Sequence, residues 1–586
     1  MSRAETRSRD DGGGATIRQD ASSPERRVNR RPRRSLPVDL SLITVLAVVV
    51  VAVLLGSAHL RPYNAPELDP RPALLPLYLL FSLTRLVVAY IVAVLLALGV
   101  GHLAARSTLA RRVILPILDV LQSVPILGFF PVAVGFFIGV FHGSALGVEA
   151  AAVFLIFTSM FWNLAFGVYE SLITLPEELV LAANEFRLRG PLRWNRLILP
   201  ATIPGLLYNS LVSWANGWYF LIASEIIAVG PARYTLPGLG SYLAQAVTVG
   251  RNDQTLLAIG VLLATTVGMH LLLWGPLDTW AERFQLGESG DHPRTPRIAR
   301  ALGRSRIVRW VTGSIVIPLS QQVLSTSGRV LHFVGRNMAW MGAALALVAP
   351  VVAVYGGRRL YALFASRPPS AELAAIPGDL ALSFARVAFG VVVSAVVSIP
   401  VAERVARHPR FRVAALAVIQ ILASLPATAF FPLIVVLLTW GLGMNAGAIL
   451  LALTTMFWYV LFNVVGAAAA IPKEMQEAAE TLGLQGLRYL RRIFVPAVLP
   501  GLVTGCVTAW GAGWNAMILC EYIEAGGRTH SVRGVGATLD RATYLTGDMQ
   551  VVAASLGVMV LLIITVNQFF WEPLYRYAAD RYKMGV

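Results

Sequence analysis

LPEELVLAANEFRLRGPLRWNRLILPATIPGLL runs from Leu175 to Leu207, and IPKEMQEAAETLGLQGLRYLRRIFVPAVLPGLV runs from Ile471 to Val503. One segment therefore occurs twice in the chain. Each copy opens on a proline followed by acid, a helix-start pattern. Each then carries an alanine pair, a polar middle rich in arginine, and a closing proline before a long apolar stretch. Working outward, the copying continues. SLTRLVVAY from Ser82 matches SFARVAFGV from Ser383, and SVPILGFFP from Ser123 matches SLPATAFFP from Ser424. MFWN from Met160 matches MFWY from Met456, and WANGW from Trp214 matches WGAGW from Trp510. Glu225 falls opposite Glu521, and PGLG from Pro237 opposite RGVG from Arg533. All the anchors run in the same order, so the halves are parallel repeats.

Composition fixes the medium. Of 586 residues, 56% are hydrophobic and 14% charged, against about 25% charged in soluble chains. That apolar excess exceeds what a single soluble core absorbs. Disordered chains, secreted disulfide scaffolds and ordinary cytosolic enzymes are excluded, which leaves an all-α polytopic membrane protein. Apolar stretches fall at 41–60, 77–104, 113–140, 150–172, 201–229 and 254–277, then at 337–357, 379–402, 413–440, 446–470, 497–523 and 550–571. Each is about as long as a bilayer requires, giving about twelve spans in two parallel six-helix repeats. Parallel repeats place a pseudo-two-fold axis along the membrane normal, with a pathway between the halves. The expected organisation is a basic disordered tail over 1–38, a first membrane domain over 39–280, a cytoplasmic linker over 281–336 and a second membrane domain over 337–586.

The net charge of +17 is read as positive-inside topology rather than as nucleic-acid binding. Arg106, Arg111 and Arg112, then Arg404, Arg407, Arg410 and Arg412, join the tail and linker on one side if spans alternate. That side is the cytoplasm, and both termini lie there. Cys506 and Cys520 share one helix about 21 Å apart, too far to pair. No histidine spacing marks a metal site. Neither lysine, Lys473 or Lys583, sits in the phosphate-cradling frame of a P-loop. No catalytic residue and no cofactor of this chain's own is expected. The GxG at Gly238/Gly240 and Gly534/Gly536 reads as a turn in an external loop.

Glu477-Ala478-Ala479, then Gly483, then Ile493-x-Val495-Pro496, resembles the EAA loop of ABC importer permeases. The chain resembles two fused permease domains of the type I importer fold. The SxxR start of span two, the SxP…FP element of span three and the W…W…E run of span five resemble the nitrate/sulfonate/taurine/bicarbonate branch. The resemblance implies an inner-membrane permease of a prokaryote that conducts a small anion. It implies a cytoplasmic ATPase dimer that binds ATP and Mg, and an extracytoplasmic solute-binding protein. It also implies that the loops dock on the ATPase through Ala182, Ala183, Arg187 and Gly190 in the first copy. Glu477, Ala478, Ala479, Gly483 and Gly486 are the counterparts in the second. The first copy departs from the pattern, with Leu181 in place of Glu and Arg187 in place of Gly. Gly190 and Gly486 are expected to turn the chain into a second short helix. Fused permeases for ferric iron or thiamine are the alternative within the family. A secondary transporter with two parallel halves is the alternative outside it.

Few ionisable residues enter the spans. Arg85 with Glu225, and Arg386 with Glu521, stand at matching depth and form two expected ion pairs. Such a pair either fixes helices or, through its arginine, draws an anionic substrate. Trp214, Trp218, Trp510 and Trp514 fall on one face of span five, with Asn216 and Asn515 nearby. They line a cavity or pack the bundle. Ser123-x-Pro125 and Ser424-x-Pro426 break span three, either at a water-lined site or at a packing kink.

Overall fold

The computed structural model describes most of residues 71–281 and 371–582, with 124–129 and 409–439 described only in part. The tail, the 41–60 stretch, nearly all of the 337–357 stretch and of the linker, and Ser424 lie outside the described residues. Long unbroken helices dominate, because in hydrocarbon each backbone N–H and C=O must find its partner within the segment. Eight helices among the described residues are long and apolar enough to cross a membrane.

The first half comprises α1 (Leu75–Arg106), α2 (Thr108–Ser123), α3 (Phe130–Val140), α4 (Ala145–Ile173), α5 (Glu177–Glu185) and α6 (Leu199–Glu225). A hairpin follows, β1 (Ile226–Val229) against β2 (Ala232–Thr235), then α7 (Leu239–Val249) and α8 (Asn252–Met269). The second half repeats the plan with α9 (Ala371–Arg407), α10 (Met444–Ala469), α11 (Lys473–Thr481) and α12 (Val495–Cys520). Its hairpin pairs β3 (Tyr522–Ala525) with β4 (Arg528–Ser531), and α13 (Val535–Asp540) and α14 (Met549–Val566) complete it. The repeat extends to helix irregularities. A π turn at Trp194–Ile198 leads into α6, and one at Leu490–Phe494 leads into α12.

Small residues let the long helices touch. A Cβ on Gly101 of α1 would lie 2.8 Å from Val168 of α4. One on Gly505 of α12 would lie 3.0 Å from the backbone of Val460 of α10. Close backbone approach takes the place of a hydrophobic driving force, which lipid does not supply. The second half's core cluster also takes in Val134, Ile138, Val148, Ala151, Leu155, Tyr219 and Phe220 of the first, so the halves share an apolar seam.

Span three of the first half is broken as expected: α2 ends at Ser123 and α3 starts at Phe130. One expectation changes. Span five stops at Glu225 and Cys520 rather than running on to 229 and 523, and the chain turns there into a hairpin. Among the described residues, two short hairpins thus interrupt an otherwise helical fold.

Candidate functional site

Each half buries an Arg–Glu pair at the end of span five remote from α5 and α11. Arg85 on α1 reaches Glu225 at 2.9 Å, and Arg386 on α9 reaches Glu521 at 2.6 Å; both glutamates are fully buried. Ser82 and Ser383, one turn before each arginine, donate to the same carboxylates at 2.5 and 2.6 Å. The second carboxylate oxygen accepts the amide of Gly240 at 2.6 Å and, in the other half, of Gly536 at 2.8 Å. Each arginine also donates to a carbonyl on this loop, Pro237 at 2.9 Å and Arg533 at 2.7 Å.

The GxG reading needs correction. These glycines do not merely turn an external loop; they bring backbone onto a buried carboxylate. A Cβ on Gly238 or Gly534 would collide with the Glu225 or Glu521 carboxylate. One on Gly240 would lie 2.7 Å from Ile222, and one on Gly536 2.6 Å from the Met517 carbonyl. The first turns of α7 and α13 also supply unsatisfied helix N–H groups, which favour an anion. Sequence reasoning missed this seat, although matched GxG pairs downstream of matched glutamates, with matched serines at span two, signalled it.

The two clusters differ in one partner. Arg85 also holds Glu149 of α4 by a bidentate pair at 2.6 and 2.7 Å. Arg386 meets Asn445 there instead, at 2.6 Å. The first guanidinium has two carboxylates and the second has one.

A separate cavity of about 50 Å³ lies between the halves. Its walls are Ser159, Trp162 and Asn163 from α4, Asn216, Tyr219 and Phe220 from α6, Thr455 and Tyr459 from α10, and Thr508, Gly511, Ala512 and Asn515 from α12, with Gln122 and Ile126. Four helices, two from each half, therefore meet across the pseudo-two-fold axis. Two hydrogen bonds tie the halves here. The Tyr459 hydroxyl donates to Asn216. The Ile126 amide, in the break of span three, donates to Asn515 Oδ1 at 2.6 Å. No charged side chain is among the lining residues.

Among the sequence candidates, Asn216 and Asn515 reach this cavity. The four tryptophans do not line it; they pack. Trp214 meets Tyr90 and Trp274 edge-on at 5.4 and 5.6 Å, and Trp510 meets Phe384 at 5.5 Å and Trp514 at 5.8 Å. Trp218 and Trp514 are fully buried. Bulky rings fill the space between span five and its neighbours, where dispersion holds the bundle. Arg85, Glu225, Arg386 and Glu521 do not line the cavity either, because each arginine is consumed by its carboxylates. Ser123 closes α2 beside the break. Tyr219 and Thr455 were not singled out in sequence, because no charge or motif marks them; Trp162 and Tyr459 stood there only as members of the MFWN and MFWY repeat anchors.

The paired loops keep one shape. α5 and α11 each start after a proline and end in the same cap. The Leu188 amide reaches the Ala183 carbonyl, and the Leu484 amide the Ala479 carbonyl, both at 2.9 Å. Arg187 and Gly483 stand at the left-handed position, with φ of 52° and 63°. This is a Schellman cap. The turn is therefore made at Arg187 and Gly483. Gly190 opens the short helix Gly190–Arg193, and Gly486, with φ of 56°, opens Gly486–Tyr489. Ala183 and Ala479 are buried against the bundle, and Ala182 half-buried. Glu477, Ala478 and Arg187 face outward, and just beyond the alanine pairs Phe186 and Leu482 are 78% and 73% exposed.

The family model for the binding-protein-dependent transport system inner membrane component matches residues 75–275 and again 390–572. The chain belongs to this family, twice over. The nitrate import permease protein NrtB of Leptolyngbya laminosa is 25% identical over 279 residues, which cover 95% of that protein and 42% of this chain. The taurine transport system permease protein TauC of Escherichia coli K12 is 26% identical over 247 residues, 85% of its length and 42% of this chain. The bicarbonate transport system permease protein CmpB of Synechococcus elongatus is 27% identical over 144 residues, 51% of its length and 25% of this chain. This permease is thus a multi-pass membrane protein of the nitrate/taurine/bicarbonate branch of ABC importers, with two family domains in one chain.

Proposed function

We propose that this permease imports a small anion, driven by a separate ATPase that engages both repeated loops and fed by an extracytoplasmic binding protein. The observation that carries the reading is the equal shape of the two loops. Both end α5 and α11 in one cap, and both hold an apolar side chain, Phe186 or Leu482, out to solvent one residue before the left-handed position. An exposed apolar residue on a rigid short helix fits a groove on a partner. Arg187 keeps the left-handed geometry of Gly483, which supports docking at both loops despite the altered first motif. The positive-inside count supports loops and termini on the cytoplasmic side. ATP and Mg belong to the partner. The anionic substrate rests on the printed names of NrtB, TauC and CmpB.

The test is reconstitution with the ATPase and binding protein. Phe186→Asp and Leu482→Asp, each at an exposed position, should each weaken ATPase co-purification and abolish most ATP-driven uptake. Uptake that persists without ATP, driven by an ion gradient, would instead support a secondary transporter.

A further inference from the structure

The cavity between the halves is lined by buried donors that have no partner. The Tyr219 and Thr455 hydroxyls and the Trp162 indole N–H are buried and, among the described residues, have no hydrogen-bond partner. All three residues line the cavity. Unpaired buried indoles also occur at Trp194, Trp214, Trp218, Trp510, Trp514 and Trp571, and unpaired hydroxyls at Tyr242, Thr266, Ser394, Ser398 and Ser555; what sets these three groups apart is that they share one cavity. Two of the acceptors in the same wall are taken, while Gln122 and Asn163 add amides that can both donate and accept. Asn216 Oδ1 takes the Tyr459 hydroxyl, and Asn515 Oδ1 takes the Ile126 amide. The Asn216 amide N–H groups remain as further donors. Leaving donors unpaired in an apolar interior costs folding free energy. A site that carries this cost is complementary to something that accepts hydrogen bonds from several sides.

The charge and size of the cavity narrow the ligand. Among the described residues, no carboxylate lines it to repel an anion, and no arginine or lysine lines it to trap one. Neutral donors can meet one negative charge spread over several oxygens; a divalent anion would remain undercompensated at this depth. Weak, uncharged binding also lets a solute leave, which conduction requires. A volume of about 50 Å³ holds a few waters, at ~10–15 Å³ each on this measure. That matches a small oxyanion and is tight for an aminoalkyl sulfonate.

We propose that Trp162, Tyr219, Thr455 and Asn216 form an intramembrane way-station for a small monovalent oxyanion of nitrate or bicarbonate size, held by neutral donors alone. The inference rests on the importer reading above and deepens it.

The test uses the chain assembled with its ATPase and binding protein in proteoliposomes, with nitrate and bicarbonate as probes. Tyr219→Phe with Thr455→Val removes two donors and keeps the cavity's shape; Trp162→Phe removes the third. Each lost donor to the anion should lower uptake about tenfold. The melting temperature should hold or rise, because an unpaired buried hydroxyl is gone. Trp571→Phe, which deletes an unpaired indole N–H away from the cavity, should leave uptake unchanged. Unaltered uptake in the donor variants overturns the site, as does a loss of uptake that only follows a loss of stability. ATP-driven uptake of a larger or cationic solute, with neither probe carried, overturns the site and leaves the importer standing. No ATP-driven uptake of any solute the binding protein holds overturns the importer and the site together.

Discussion

Replacing Glu521 by Gln should destabilise the protein more than replacing Glu225 by Gln, although the two glutamates are repeat counterparts. Glu521 is the one carboxylate on Arg386, whose other partners are the Asn445 amide and the Arg533 carbonyl. Neutralising it leaves a buried guanidinium with dipoles alone, a change that costs about 3–5 kcal/mol. Arg85 has a second carboxylate in Glu149, bound through both its oxygens at 2.6 and 2.7 Å. Glu225→Gln therefore leaves Arg85 charge-paired and forfeits one charge-assisted contact, about 1.5–3 kcal/mol. The difference between the variants is about 2 kcal/mol. Unfolding of the purified chain in detergent, followed by tryptophan fluorescence, measures both. The reasoning contains its own control. In a Glu149→Asn background the first half acquires the second half's arrangement, and Glu225→Gln should then cost as much as Glu521→Gln. The coupling between positions 149 and 225 should be about 2 kcal/mol in a double-mutant cycle. Equal losses for Glu225→Gln and Glu521→Gln, or additivity in the cycle, would refute it.

Three further outcomes follow from local geometry. Arg187→Gly should stabilise the first loop by about 1 kcal/mol, because a side chain in the left-handed region carries roughly that cost. Gly483→Arg should lose a similar amount and still fold; denaturant titration of both variants checks the signs. Gly536→Ala should lower stability by about 1–3 kcal/mol, since its Cβ would press on the Met517 carbonyl and the Glu521 carboxylate; an unchanged melting temperature would show that the loop relaxes freely. Cys506 and Cys520 are free and buried, so a polar maleimide should label them only after denaturation, as mass spectrometry would read.

Much of the fold was legible because hydrophobic length and exact copying are one-dimensional signals. The apolar runs, the repeat and the loop helices need no tertiary knowledge. The Arg–Glu pairs were legible too, since a lone charge in an apolar run must find a partner. The carboxylate seat was not, because Gly238 and Gly240 look like any turn until Glu225 is seen beside them. The tryptophans stayed open between lining and packing for a related reason. Residues spaced four apart share a helix face, but spacing does not say whether that face meets a cavity or another helix. Tyr219 and Thr455 gave no signal, since a hydroxyl becomes unusual only once its burial and lack of partner are known.

The cavity also explains a use for joining two copies in one chain. In a symmetric pair of identical subunits, a residue on the two-fold axis faces its own copy. A tyrosine at the axis would face a tyrosine, and an asparagine an asparagine. Here the repeat counterpart of Tyr459 is Asn163, that of Asn216 is Ala512, and that of Tyr219 is Asn515. The bond from Tyr459 to Asn216 and the bond from Ile126 to Asn515 therefore cross the axis without a mirror partner. Each ties up an acceptor in one half only, an arrangement that identical halves could produce only in duplicate. The same freedom allows Glu149 opposite Asn445 and Arg187 opposite Gly483. The Ser–Arg–Glu–GxG seats, by contrast, are retained in both halves. Divergence has thus reached the axis, one partner of each buried arginine and the loop turn, while the Ser–Arg–Glu–GxG core that holds each copy together is kept.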